Sequence, residues 1–402
     1  MTGFHYCTRC VMPSSRPGIV FDERGLCGAC RWHERKASID WAAREDQLRR
    51  IADWAASATR APWDCVLGVS GGKDSLWQAH VLRDRFGMNP LLVQFVSSDA
   101  TELGRRNAEN MVRSGFTLLS VQPNPEVARR LMRKSFLDWG NTIKFAEFAL
   151  FTAPFRVAID YDVPLVFFGE NPALEAGDAN RDNAGWDASG IRFNNTLGGG
   201  AADIWLGDGI GPRDLIAYSF PSAEELDAWG GRGVFMGYFL NWSGWRNAAF
   251  AVRHGMDLLD ADCADIGSPY RHNSLDSDNG AMVNAMMKHA KFGFGSTTEF
   301  VSYDVRDGRM SRAEAAALVR RFDGRCHSRY IDAFCRWTGV TADEFARTVE
   351  RFRGPMWRPD ATGGWTLERP IWADYDTDAV DVEALLRRID PWGKAGDGEG
   401  AP

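Results

Sequence analysis

The chain has 402 residues, 45% of them hydrophobic, enough for a large core and two or three structural units. Its net charge of −7 argues against a broad nucleic-acid footprint. No apolar run is long enough to span a bilayer and no cleavable signal is expected at residues 1–7, so a cytoplasmic protein is expected, whose eight cysteines suggest metal or catalysis and not disulfides.

Two cysteine pairs open the chain. Cys7 and Cys10 are two residues apart, as are Cys27 and Cys30, with sixteen residues between the pairs. That is the spacing of a four-cysteine zinc site. Each pair forms a tight knuckle, and four thiolates close a tetrahedron around Zn²⁺, so the metal is structural. Residues 18–26 read as a small hairpin with Gly25 at its turn. His5 and His33 lie close by; either is an alternative ligand or a surface histidine. Residues 36–61 read as a helical linker, with Ile39, Leu48, Ile51 and Trp54 as its apolar positions.

Residues 65–69 form a short apolar run, expected as a buried parallel strand. Ser70, Gly71, Gly72, Lys73, Asp74 and Ser75 follow. A helix is then expected through Leu76, Ala79, Val81 and Leu82, capped by Ser75 and ending near Gly87. A strand, a glycine turn and a helix N-terminus aim several backbone N–H groups and a positive dipole end at one spot, which suits an anion. Gly71 and Gly72 let the backbone approach closely. Lys73 adds a mobile charge, and Asp74 can hold Mg²⁺. The common nucleoside-triphosphate loop differs: it has four residues before Gly-Lys, where three separate Gly68 from Gly72 here, and it follows the lysine with Ser or Thr.

Strands are expected at 90–96, 116–121 and 164–168, and helices at 102–114, 125–139 and 144–161. This alternation implies an α/β fold with a doubly wound parallel sheet. Gly169, Glu170 and Asn171 leave the fourth strand at the same rim as residues 70–75, where ligands of such sheets sit. Glu170 reads either as a group that orients a reactant or as a structural cap. Residues 173–247 are rich in Gly, Asn, Asp and Trp and read as a substrate-binding insertion. Their aromatics, among them Trp186, Phe193, Trp205, Tyr218, Phe235, Tyr238, Phe239, Trp242 and Trp245, either stack on a sugar or pack a satellite core. Farther on, methionines at helical spacing precede Lys288, Lys291, Gly293 and Gly295. Lys291 reads as a phosphate ligand or as a partner of a helix C-terminus. Three more helices are expected at 311–322, 329–339 and 341–352, two of them with capping boxes (Ser311 with Glu314, Thr341 with Glu344). Beyond 392 the chain turns Gly, Asp and Pro rich and is expected to be disordered.

The hexamer at 70–75 resembles, at all six positions, the Ser-Gly-Gly-Lys-Asp-Ser signature of the ATP pyrophosphatases, or PP-loop enzymes, whose fold is adenine nucleotide alpha hydrolase-like. Other blocks add to the likeness: residues 7–13, 21–30, 169–172, 291–295 and 307–314. Together they resemble the N-acetyl sugar amidotransferases of bacterial surface-polysaccharide and nonulosonic-acid (pseudaminic and legionaminic) pathways, over residues 5–360. The resemblance implies a zinc unit at 1–35, a linker at 36–61, an ATP-binding domain at 62–172 completed by 248–360, the insertion at 173–247 and a tail at 361–402. It implies ATP bound by Ser70, Gly71, Gly72, Lys73, Asp74, Ser75, Gly169, Glu170 and Asn171, with Lys73, Asp74, Glu170 and Lys291 in catalysis, Mg²⁺ on Asp74 and zinc on the four cysteines. The implied reaction adenylates the oxygen of a sugar N-acetyl group, on a nucleotide sugar or similar small molecule. Ammonia then displaces AMP and leaves an acetamidino group. The chain has no glutaminase nucleophile elbow, so ammonia is expected from a separate glutaminase subunit. Two alternatives remain at this point: a PP-loop sulfurtransferase using Cys65, Cys263, Cys326 or Cys335, and a noncatalytic nucleotide-sensing scaffold.

Overall fold

The computed structural model describes residues 3–177, 185–193, 197, 201–277 and 279–392. Five parallel strands form its main sheet: β1 (Cys65–Val69), β2 (Pro90–Phe95), β3 (Thr117–Val121), β4 (Leu165–Phe168) and β5 (Arg232–Phe235). Their order is β3-β2-β1-β4-β5, so the winding reverses between β1 and β4. β1, β2 and β4 are near-continuous apolar runs because both faces of the sheet are covered. Cys65, Leu67 and Val69 point to one face, against α2 (Trp41–Ala58) and α3 (Lys73–His80). Val66 points to the other, against α6 (Lys144–Asp160). Gly68 is required there, since a Cβ would stand 2.9 Å from Cγ of Pro154.

Three local features differ from the sequence reading. First, α3 begins at Lys73 with Gly72 as its N-cap, so Ser75 lies inside the first turn. Its Oγ instead accepts the N–H of Ser70 at 3.0 Å and closes the loop on itself. Second, α3 continues through a π-helical turn, Val81–Arg85, before Gly87 ends it with φ +67°. Third, β5 lies inside 173–247. A four-residue strand with a glycine, and with no alternation of polar and apolar residues, carries little periodic signal. The segment is also less of an aromatic platform than its composition suggests. Trp205, Tyr218, Phe235 and Phe239 are buried in core clusters, and Trp205 donates its Nε1–H to Ser135 Oγ at 3.1 Å. Phe193's side chain and the stretch from 393 onward lie outside the described residues.

Helical segments Asn279–Phe292, Ser296–Arg306, Arg312–Phe322, Ser328–Thr338 and Ala342–Phe352 make up the C-terminal region. Both expected capping boxes form. No helix among the described residues is long and apolar enough to cross a membrane.

Candidate functional site

The loops after β1 and β4 leave the sheet where its order reverses, the place at which open α/β sheets carry their ligands. Gly71 adopts φ +84°, a conformation that disfavours a side chain, and a Cβ there would stand 3.3 Å from the Ala108 nitrogen in α4 (Glu102–Arg113). The turn therefore presses against α4 and delivers Lys73 and Asp74 into the first turn of α3. Lys73 Nζ donates to Asp74 Oδ2 at 2.7 Å and to Asn273 Oδ1 at 2.8 Å. Asp74 Oδ1 accepts from Nδ2 of the buried Asn247 at 2.8 Å. Gln78 Nε2 donates to the Asp74 carbonyl at 3.1 Å. The loop's charged pair is thus braced by residues 173 and 200 positions away in the chain.

Of the three residues expected from the β4 loop, only Glu170 lines the cavity with Lys73 and Asp74. It is exposed to the cavity, but the surrounding walls displace bulk water, and with the Asp74 carboxylate nearby they push its pKa up to about 7. Gly169 accepts the Gly237 N–H at 3.0 Å through its carbonyl. Asn171 is buried: its Oδ1 accepts the Ala173 N–H at 2.9 Å and its Nδ2 donates to the Gly185 carbonyl at 2.8 Å. Both shape the turn and do not line the cavity. Lys291 stands elsewhere. Its Nζ donates to the Trp139 carbonyl at 2.5 Å beside a second cavity shared with Arg16 and Lys288. Burial, with Lys144 adding repulsion, pulls its pKa down to about 8. The structure does not bring it to Lys73.

The cavity encloses about 660 Å³ including its open mouth. Trp242 and Trp245 form one wall, Tyr270, His272 and Asn273 a second, and Phe300, Tyr303, Asp304 and Asp307 a third. Sequence reading missed the last two walls. The third had a legible signal, since positions 300, 303, 304 and 307 share one face of a helix. The second had none, because residues 270–273 are a turn. Asp304 accepts from Tyr270 Oη at 2.8 Å and from Arg309 Nε at 3.0 Å. Burial raises the pKa values of both Asp304 and Asp307. With five aromatics, four carboxylates and one lysine in its walls, the cavity suits a hydroxyl-bearing ligand: carboxylates accept hydroxyl protons, and rings cover its C–H faces. No cysteine lines it among the described residues, and Cys65 is buried in β1.

Residues 268–369 match the family model described as LPS biosynthesis protein WbpG-like, C-terminal domain. A search of curated proteins found no match. The matched segment supplies the second and third walls of the cavity, and the likeness supports a link to polysaccharide biosynthesis.

The WbpG-like segment also braces the cysteine unit. Cys7, Cys10, Cys27 and Cys30 are all buried, with their sulfurs within 4.8 Å of one another. Cys7 and Cys30 are 3.7 Å apart at Sγ, and Cys10 and Cys27 3.8 Å. A zinc–sulfur bond of about 2.3 Å in a regular tetrahedron requires edges of about 3.8 Å, so the four thiols fit zinc. Hydrogen bonds from Cys10 foremost hold the Cys7 thiol below the ordinary range, while the same neighbour pushes Cys30 up. Four crowded thiols cannot all ionise without a cation among them. Arg312 donates to the carbonyls of Cys10 at 3.0 Å and Cys7 at 2.7 Å. On the other side, Trp32 Nε1 donates to Glu175 Oε1 at 2.9 Å, and Lys36 pairs with the same oxygen at 2.6 Å. The unit is therefore tied both to the segment after β4 and to the helix Arg312–Phe322. His33 is not in the sulfur cluster; burial pulls its pKa down to about 4, and its Nδ1 is 3.5 Å from Asp307. His5 Nδ1 lies 2.8 Å from the Gly3 carbonyl.

Proposed function

We propose that this chain is an ATP-dependent amidotransferase of the PP-loop type, acting on the N-acetyl group of a sugar in polysaccharide biosynthesis. One observation carries the reading: the Lys73–Asp74 pair at the N-terminus of α3 opens into the cavity walled by the WbpG-like segment. The N–H groups of residues 71–75 and Lys73 would neutralise the pyrophosphate of ATP as it leaves. Asp74, with Glu170 near it, would hold Mg²⁺. That ion, when bound, supplies charge neutralisation on the phosphates.

The acceptor's amide oxygen attacks the α-phosphorus, and the bond to pyrophosphate breaks. An amide oxygen leaves poorly; its adenylate leaves readily. Ammonia then forms the new C–N bond as the C–O bond to AMP breaks. Glu170, which lines the cavity beside Lys73 and Asp74, is the carboxylate placed to take the proton that the attacking nitrogen gives up. The acceptor lies among Trp242, Trp245, Tyr303 and the carboxylates. Ammonia comes from a separate glutaminase subunit, and the reaction is cytoplasmic, where ATP is available. The sulfur-transfer alternative lacks a cavity thiol among the described residues.

The test is pyrophosphate release from ATP with N-acetylated nucleotide sugars, followed by mass spectrometry of the product. An acetamidino product formed with ammonium by the chain alone, and with glutamine only beside a glutaminase, is expected. A thioamide formed only with sulfide would replace this reading.

A further inference from the structure

His272 has no part in the reaction just described, yet it lines the same cavity. It is only 5% exposed, and among the described residues its Nδ1 has no hydrogen-bond partner. Trp245, in the adjoining wall, likewise has a buried Nε1–H with no acceptor. Two buried polar atoms without partners, on two residues that line one cavity, are unusual, because each gave up water on folding and received nothing in return. Their rings are firmly set. Tyr270 meets the His272 ring edge-on at 5.7 Å, and Trp392 meets it at 5.5 Å. Trp392 also stacks on Trp245 at 6.4 Å, and the Arg309 guanidinium lies 4.1 Å from the Trp245 ring. Burial, then Lys73, Arg309 and Arg271, keep His272 uncharged. A neutral imidazole offers an acceptor nitrogen, and an indole N–H offers only a donor.

We propose that His272 and Trp245 form the subsite for a secondary amide of the acceptor, with His272 accepting the amide N–H and Trp245 donating to the amide oxygen. A carboxylate would leave the imidazole acceptor unmatched, and a hydroxyl could match both groups only by bridging them through its single oxygen. A secondary amide carries its donor and its acceptor on separate atoms, one for each group. Its oxygen keeps a second lone pair for the phosphorus, and the N–H bond to His272 shifts electron density toward that oxygen. His272 is thereby a positioning residue. The role as reacting group rests on the function proposed above; recognition of the amide does not.

The experiment therefore needs no ATP. N-acetylglucosamine and glucose, which differ at one substituent, are titrated into the full chain. Binding is followed by saturation-transfer NMR on the acetamido methyl and by tryptophan fluorescence. The wild-type protein should prefer N-acetylglucosamine by about 10-fold, the effect of about one net hydrogen bond. His272→Leu should bring that ratio close to one. His272→Asn, which returns an acceptor near the Nδ1 position, should restore part of it. Trp245→Phe, which removes only the N–H and keeps an aromatic ring, should lower it with the imidazole intact. Equal binding of the two sugars by the wild type overturns the proposal. So does a loss of affinity that is the same for both sugars in every variant, the signature of a structural role. Retained amide preference in a protein that releases no pyrophosphate would refute the reaction and leave the subsite standing.

Discussion

Replacing Cys30 with serine tests the cysteine unit most directly. The two measured sulfur separations, 3.7 and 3.8 Å, match the edge of about 3.8 Å that tetrahedral zinc requires. Binding of structural zinc to four such ligands is worth about 10–16 kcal/mol near neutral pH. That is as large as the whole stability of a typical domain, about 5–15 kcal/mol. The small core of the unit, Met12, Leu26, Ala29 and Phe294 around the sulfurs, cannot replace it. Cys30→Ser should therefore unfold residues 3–36 while the sheet, with its own core on both faces, stays folded. Loss of the unit also releases Glu175 from Trp32 and Lys36, so the loop carrying Glu170 should loosen. Elemental analysis should find about one zinc per wild-type chain and far less in the variant. A chelator should lower the wild-type melting temperature toward that of the variant. Zinc should also be lost on acidification, because protons compete for the thiolates. Wild-type protein purified without chelator and free of zinc would refute the reasoning. A Cys30→Ser protein with unchanged zinc and melting would refute it equally.

Lys73→Ala and Asp74→Ala should each lower pyrophosphate release by about 10²–10³-fold with little change in melting, as expected for loss of one preorganised charge; near wild-type turnover in either would remove the pair from the site. Glu170 has a folded pKa of about 7 against an ordinary 4.5, so its contribution to stability is whole at acid pH and is lost as pH rises through that window. Glu170→Gln should flatten this decline in thermal melts across the window, and an unchanged pH profile would show that its surroundings do not raise the pKa. Lys291→Met should leave pyrophosphate release within about 2-fold of wild type, since uncharged replacements away from a site act mainly on stability; a loss comparable to that of Lys73→Ala would return Lys291 to the catalytic set.

Where chemistry is local in the chain, the sequence is a sufficient guide. The two cysteine pairs need only a hairpin to meet. The glycine turn, Lys73 and Asp74 follow from one strand running into one helix. The strands at 65–69, 90–95 and 165–168 are legible because buried parallel strands are unbroken apolar runs, and both capping boxes because they span four residues. Roles that depend on distant partners are not legible. Asn171 and Glu170 are neighbours, yet one is buried as a turn brace and the other faces the cavity, and the outcome depends on Gly185 and Asp74. Lys291 carries the right charge in a plausible motif, but its helix aims it at the Trp139 carbonyl. Asn247 and Asn273 have no sequence signal at all; folding alone brings them to Asp74 and Lys73. The sequence by itself determined the glycine turn, the sulfur cluster and the class of sheet, because each is set by contacts within a few residues. Only the tertiary structure decided which polar groups share the cavity, because a long-range contact is set by packing of whole elements, and a side chain's neighbours there are unrelated to its place in the chain.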